Sequence, residues 1–147
     1  MDRQEERKEW MGLLAKSPAA RLANLWASTN APSDFEWLRQ PEVGGVMVRG
    51  RLGGTGAPFN LGEMTVTRCS LRLPTGQVGH GYVQGRDKDH ARIAALVDAL
   101  MQSELAQDVE TALLQPLRSE MRRSRGRTQQ RADKTKVDFF TMVRGED

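Results

Sequence analysis

The glycines of this chain constrain its fold more than any other feature. Gly44-Gly45, Gly53-Gly54-Thr55-Gly56, Pro74-Thr75-Gly76 and Gly79 cut the stretch as far as Gly85 into short segments rich in alternation. Short segments bounded by turn residues read as strands joined by hairpins, hence as an antiparallel sheet. The spacing predicts strands over 34–40, 46–52, 64–73 and 77–84. Val46, Val48 and Leu52 share one face of the second strand and Arg49 and Arg51 the other, so one side should be wet or meet a charged partner. In the third, apolar residues change phase between Val66 and Cys69. Either a bulge near Thr67 or Arg68, or burial of both faces, accounts for that.

On either side of the sheet region the period becomes helical. Residues 5–16 carry Trp10, Leu13 and Leu14 at helical spacing, and Ser17-Pro18 reads as a stop and restart, with Ser17 as N-cap and Pro18 at the first helical position. A second helix is predicted to about residue 27. The strongest pattern runs from Asp87 to about residue 106, where Ile93, Leu96, Val97, Leu100, Met101 and Leu105 form one stripe behind an Asp87 cap. That helix is expected to lie across the sheet. Another helical stretch begins near Asp108, is interrupted at Pro116 and passes into an arginine-rich arm. The expected fold is α+β: one domain over 1–147, with an antiparallel sheet of hairpins, packed helices and an extended C-terminal tail.

Composition excludes several classes. No apolar run approaches the roughly 18 residues that span a bilayer, and the first nine residues are charged rather than signal-like, so a cytoplasmic protein without membrane contact is expected. Cys69 is the single cysteine and His80 and His90 the two histidines, too few for a Cys/His zinc set. The net charge of +3 is unevenly placed: 118–136 holds eight basic side chains against Glu120 and Asp133. A basic arm on a mildly acidic body points to an acidic partner. No aromatics interleave with the arginines, which favours a solvated helix or protein contact over a nucleic-acid-binding module. The closing segment 137–145 is apolar on both alternating faces and is expected to dock on its own body or on another chain.

Three places invite chemistry, each with a plainer alternative. Gly53, Gly54 and Gly56 have the permissive backbone of a phosphate cradle, but no Lys-Ser/Thr ending follows, and a hairpin turn serves equally. Arg86 and Lys88 flank Asp87 where a strand passes into a helix N-terminus, a place suited to an anion or simply to a solvated cap. His90, one turn into that helix, has the chemistry of a proton donor near neutral pH, although a partly exposed helical histidine is the commoner reading. His80, between Gly79 and Gly81, reads as a surface strand residue or as one lying against a ligand.

Taken in order, Trp10-Met11, Gly53-Gly54-Thr55-Gly56, Val83-Gln84-Gly85-Arg86-Asp87-Lys88 with His90-Ala91, the run from Leu96 to Gln102, and above all Val137-Asp138-Phe139-Phe140-Thr141-Met142-Val143-Arg144-Gly145 resemble the PhnG family. The stretch from Gln107 to Lys136 carries least of the resemblance. The family implies a subunit of the bacterial carbon-phosphorus lyase core complex, assembled with the H, I and J subunits as a two-fold symmetric hetero-oligomer. It associates G, H and I, assisted by L, with displacement of adenine from C1' of ATP by an alkylphosphonate. The product is alpha-D-ribose 1-methylphosphonate 5-triphosphate. The resemblance implies ATP as substrate of the complex, no cofactor bound by this chain alone, and nucleosidase chemistry in the I subunit. The family thus points to an essential structural or accessory role for this chain, while clustering at a helix N-terminus makes His90 the candidate catalytic group toward the departing base, and Arg86 and Lys88, with the glycine loop, the candidate phosphate or phosphonate contacts. A purely structural assembly subunit is the alternative, with direct docking on the I subunit expected of the tail.

Overall fold

The computed structural model describes residues 2–52, 59–131 and 137–143. Helix α1 (Arg3–Lys16) starts at Asp2, whose carboxylate accepts from the Glu5 N–H at 2.9 Å. Helix α2 (Ala19–Ser28) follows directly. Pro18, rather than Ser17, is its N-cap, and Ser17 closes α1 instead, its hydroxyl donating to the Leu14 carbonyl at 2.9 Å. The serine is therefore a stop signal that satisfies an orphan carbonyl, where the sequence suggested a start.

Three strands come next: β1 (Glu36–Leu52), β2 (Phe59–Arg72) and β3 (Val78–Gln84). With β4 (Val137–Val143) they form an antiparallel sheet in the order β3-β2-β1-β4. The predicted strands 34–40 and 46–52 are one strand of 17 residues. Gly44-Gly45 read as a break, but both glycines pair with β2, and register shifts between Trp37 and Arg39 and between Arg39 and Glu42 absorb Pro41 without ending the pairing. Between Val66 and Arg72 the β2–β3 register is unbroken, and Val66 and Thr67 are both buried. Burial of both faces, not a bulge in β2, therefore explains the change of phase. The tail pairs by its backbone along the distal half of β1, from Val46 opposite Val143 to Leu52 opposite Val137.

Helix α3 (Lys88–Leu100) lies on the sheet as expected and is buried almost all round, from His90 to Leu100 with only Arg92 partly exposed. It ends at Leu100, short of the predicted limit, because Ser103 Oγ takes the Leu100 carbonyl at 2.6 Å and Gln102 Nε2 the Asp98 carbonyl at 3.1 Å. Cys69 and Leu71 meet it from β2, Leu73 from just beyond that strand, Trp10 and Leu14 from α1, and Leu22 and Leu25 from α2. Val109, Leu113, Leu114 and Leu117 complete this core from the C-terminal helical run. That run consists of α4 (Ala106–Val109), a π-helical turn (Glu110–Leu114) and α5 (Gln115–Arg131). Pro116 was expected to interrupt the helix. The wider π turn immediately before it accommodates a residue that lacks an N–H, and the helix continues.

Two glycines set how close α3 sits. A Cβ at Gly79 would lie 2.0 Å from the Ala95 carbonyl oxygen, and one at Gly81 2.1 Å from that of Ala91. Only strand residues without side chains let the helix backbone approach so closely.

Candidate functional site

The strand-to-helix turn after β3 is built as a cap. Gly85 takes φ +95°, a conformation that suits glycine, and its carbonyl accepts from Thr67 Oγ1 at 2.7 Å. Asp87 then caps α3, accepting from the His90 N–H at 3.0 Å through its carboxylate. Arg86 and Lys88 are exposed on either side of the cap, and neither has an ion pair or hydrogen bond among the described residues. Asp89 engages Arg92 instead, at 2.8 Å.

His90 is not with them. Its side chain is buried, and Nε2 lies 3.0 Å from the Leu14 carbonyl at the end of α1. A carbonyl only accepts, so Nε2 carries the proton and donates. The partly exposed histidine read from the sequence is thus an internal strut between α3 and α1, sharing the Leu14 carbonyl with Ser17. Gly53, Gly54 and Gly56 lie outside the described residues.

The structure opens a different cleft, of about 750 Å³, between α1 and β3. The glycine spacing explains which residues reach it: Gly79 and Gly81 face α3, so His80 and Tyr82 turn to the opposite side of the strand. There they sit opposite Ser70 and Arg68 of β2. Burial holds the Tyr82 phenol above its ordinary pKa, with Arg68 opposing the shift. Arg7 and Lys8 supply cations from α1, and Met11, Leu14 and Ala94 give the cleft apolar walls.

Beneath this cleft lies a group that sequence reasoning missed. Asp98 is fully buried in α3 and accepts four hydrogen bonds. Arg7 donates through Nε at 3.1 Å and through a terminal nitrogen at 2.9 Å, Trp10 Nε1 at 2.9 Å, and the His80 backbone N–H at 2.9 Å. The hydrogen bond to Asp98 raises the Arg7 pKa above its usual value. A carboxylate in the middle of an apolar helical stripe was the available signal, because such a residue stays buried only when paired.

Cys69 is equally buried, its Sγ 3.3 Å from the Ala91 carbonyl, and burial pushes its thiol up to about 11. A thiol so held is a poor nucleophile near neutral pH. Among the described residues no group of three or more His, Cys, Asp or Glu is arranged to hold a metal. No helix among them is long and apolar enough to cross a membrane. The polar groups of the cleft are suited to binding anions. They include no carboxylate or cysteine to serve as a nucleophile.

Comparison with known proteins agrees with a chain of this kind. A protein of Rhizobium meliloti (strain 1021) named alpha-D-ribose 1-methylphosphonate 5-triphosphate synthase subunit PhnG is 45% identical over 142 residues, covering 97% of this chain and 91% of that protein. The sequence model of the family described as Phosphonate metabolism protein PhnG matches residues 5–145, from α1 through the sheet and α3 to the end of β4. With both matches spanning the whole fold, the chain belongs to the PhnG family.

Proposed function

We propose that this protein is a subunit of an alpha-D-ribose 1-methylphosphonate 5-triphosphate synthase, working with H and I subunits in the cytoplasm. In the reaction a phosphonate oxygen forms a bond to C1' of the ribose of ATP while the C1'–N9 bond breaks and adenine departs. The overall chemistry is that of a transferase, with ATP as a substrate of the complex and no cofactor resident in this chain. The I subunit is the direct partner, with H and J completing a two-fold symmetric core. The observation that carries this reading is the 45% identity, over nearly the whole chain, to a protein named as a subunit of that synthase.

The described residues offer cations and a buried scaffold more than a set of acid, base and nucleophile, which supports an essential accessory role. A second reading has this chain touch the triphosphate or phosphonate directly, and the exposed, unpaired Arg86 and Lys88 beside the α3 cap favour it. The deciding experiment co-expresses the H and I subunits with and without this chain and measures adenine release and triphosphate product from ATP and methylphosphonate. Loss of product on omission is expected. Full activity without the chain overturns the synthase role.

A further inference from the structure

Helices α1 and α5 enclose a groove of about 320 Å³ on the side of the molecule formed by the helices. Lys8 and Lys16 border it from α1, two turns apart, and Arg122 and Arg125 border it from α5. All four are exposed, and none has an ion pair or hydrogen bond among the described residues. Glu9 is the one acid lining the groove, and it is already taken: Arg118 holds it through two nitrogens, both at 2.9 Å, and also grips Glu110 at 2.7 Å. Arg118 with these two carboxylates leaves one negative charge against the four cations, so folding gathers a net positive charge along one groove, where mutual repulsion is unfavourable. An acidic occupant relieves it.

The shape narrows the occupant. The cations form two rows, and eight residues at about 1.5 Å per residue separate Lys8 from Lys16 by roughly 12 Å. They do not converge on one point, as a single phosphate requires. Beside the Glu9–Arg118 pair the groove has an apolar stretch, with Leu13 and Met121 partly buried, and a Cβ at Gly12 would meet nothing within 4 Å. No aromatic ring lines it for a base to stack on. A groove between two helices with an apolar floor and cationic rims suits a third helix bearing an apolar seam flanked by carboxylates.

We propose that the α1–α5 groove is a docking site for an acidic amphipathic helix of a protein partner, Lys8 and Lys16 pairing with one row of its carboxylates and Arg122 and Arg125 with the other. Resting on the synthase reading, the helix belongs to another subunit of that assembly.

Two arms test this. In the first, a synthetic amphipathic helical peptide with a leucine seam and glutamates on both flanks is titrated into the full chain by fluorescence anisotropy at low and high salt. Salt-sensitive binding is expected, weakened at least about tenfold by Arg122→Glu with Arg125→Glu and likewise by Lys8→Glu with Lys16→Glu. Unchanged circular dichroism of these surface variants verifies folding, with the glutamine variants as a milder pair. Absence of binding, or binding indifferent to the substitutions, overturns the proposal, as does tighter binding of single-stranded DNA with the same residue dependence. In the second arm the complex co-expressed with H and I is treated with a carbodiimide. Cross-links from Lys8 or Lys16 to carboxylates in a helix of another subunit are expected, and their absence from an intact complex overturns the assignment. Failure to form any complex counts against the synthase reading, while the peptide titration still decides the groove.

Discussion

The indole of Trp10 in α1 donates to the carboxylate of Asp98 in α3 at 2.9 Å, in the interior of the protein. Arg7 and the His80 backbone N–H converge on the same carboxylate, so one side chain ties the first helix, the central helix and the edge strand together. Asp98→Ala strands all these donors and is expected to cost about 3–5 kcal/mol, measured by urea unfolding. Asp98→Asn keeps the shape but turns a donor toward donors, and should fall between wild type and alanine. A loss under about 1 kcal/mol for alanine would remove Asp98 from this role.

Gly79→Ala and Gly81→Ala should each push α3 off the sheet, since their Cβ atoms would meet backbone carbonyl oxygens at 2.0 and 2.1 Å. Overpacking of this kind costs about 1–3 kcal/mol, and backbone atoms, unlike side chains, have little room to turn away. Gly12→Ala is the contrast: it lies inside α1 with open space around it and should stabilise by about 0.5–1 kcal/mol. Thermal melts of the three variants settle the matter, and equal effects at all three positions would contradict the close packing.

The Cys69 thiol gives stability a pH dependence with a definite sign. The unfolded chain loses this proton near the ordinary value of 9.0, whereas the folded chain holds it to about 11. Between those values the unfolded state binds fewer protons, so stability falls as pH rises. Urea midpoints below pH 9.0 and between 9.0 and 11 should diverge in wild type, and less in Cys69→Ala. An identical pH slope in both proteins would show that the thiol does not contribute.

Arg86→Ala with Lys88→Ala removes two exposed charges and no packing. Assembly with the H and I subunits should survive, while triphosphate product formation drops about tenfold, the scale of one or two charge-assisted hydrogen bonds. Product formed at the wild-type rate would leave the pair as solvated flanks of the Asp87 cap.

Deletion of 137–147 removes the backbone pairing of β4 along the distal half of β1. The shortened chain should keep its near-ultraviolet circular dichroism and lose co-purification with the I subunit. A complex that survives the deletion would move the docking surface elsewhere.

Periodicity exposed most of the architecture because local pattern and tertiary burial agree in it. The stripe from Ile93 to Leu100 and the Asp87 cap were legible for that reason. Gly44-Gly45 misled, because the breaking tendency of glycine is local while the strand is carried through both residues by pairing with β2. The direction of His90 was hidden, since a helix position does not reveal that another helix ends against it at the Leu14 carbonyl. The α1–β3 cleft was unreadable for a similar reason: its walls come from residues some 70 positions apart, from Arg7 and Met11 to His80 and Tyr82. Gly79 read as punctuation and Gly81 only as a neighbour of His80, because the close approach of α3 that requires both is a tertiary contact.

On the outer side of β3, the Val78 carbonyl accepts from Gln102 Nε2 at 2.9 Å and the His80 N–H donates to Asp98. A foreign strand seeking to zip onto that edge must first break the hydrogen bond from the His80 N–H to a buried carboxylate and the hydrogen bond from the Gln102 amide, a barrier that a bare edge lacks. Protection against β-aggregation on this side is thus written into α3, and mutations that loosen Arg7, Trp10 or Asp98 should show themselves as insoluble protein in cells before they appear as lost activity.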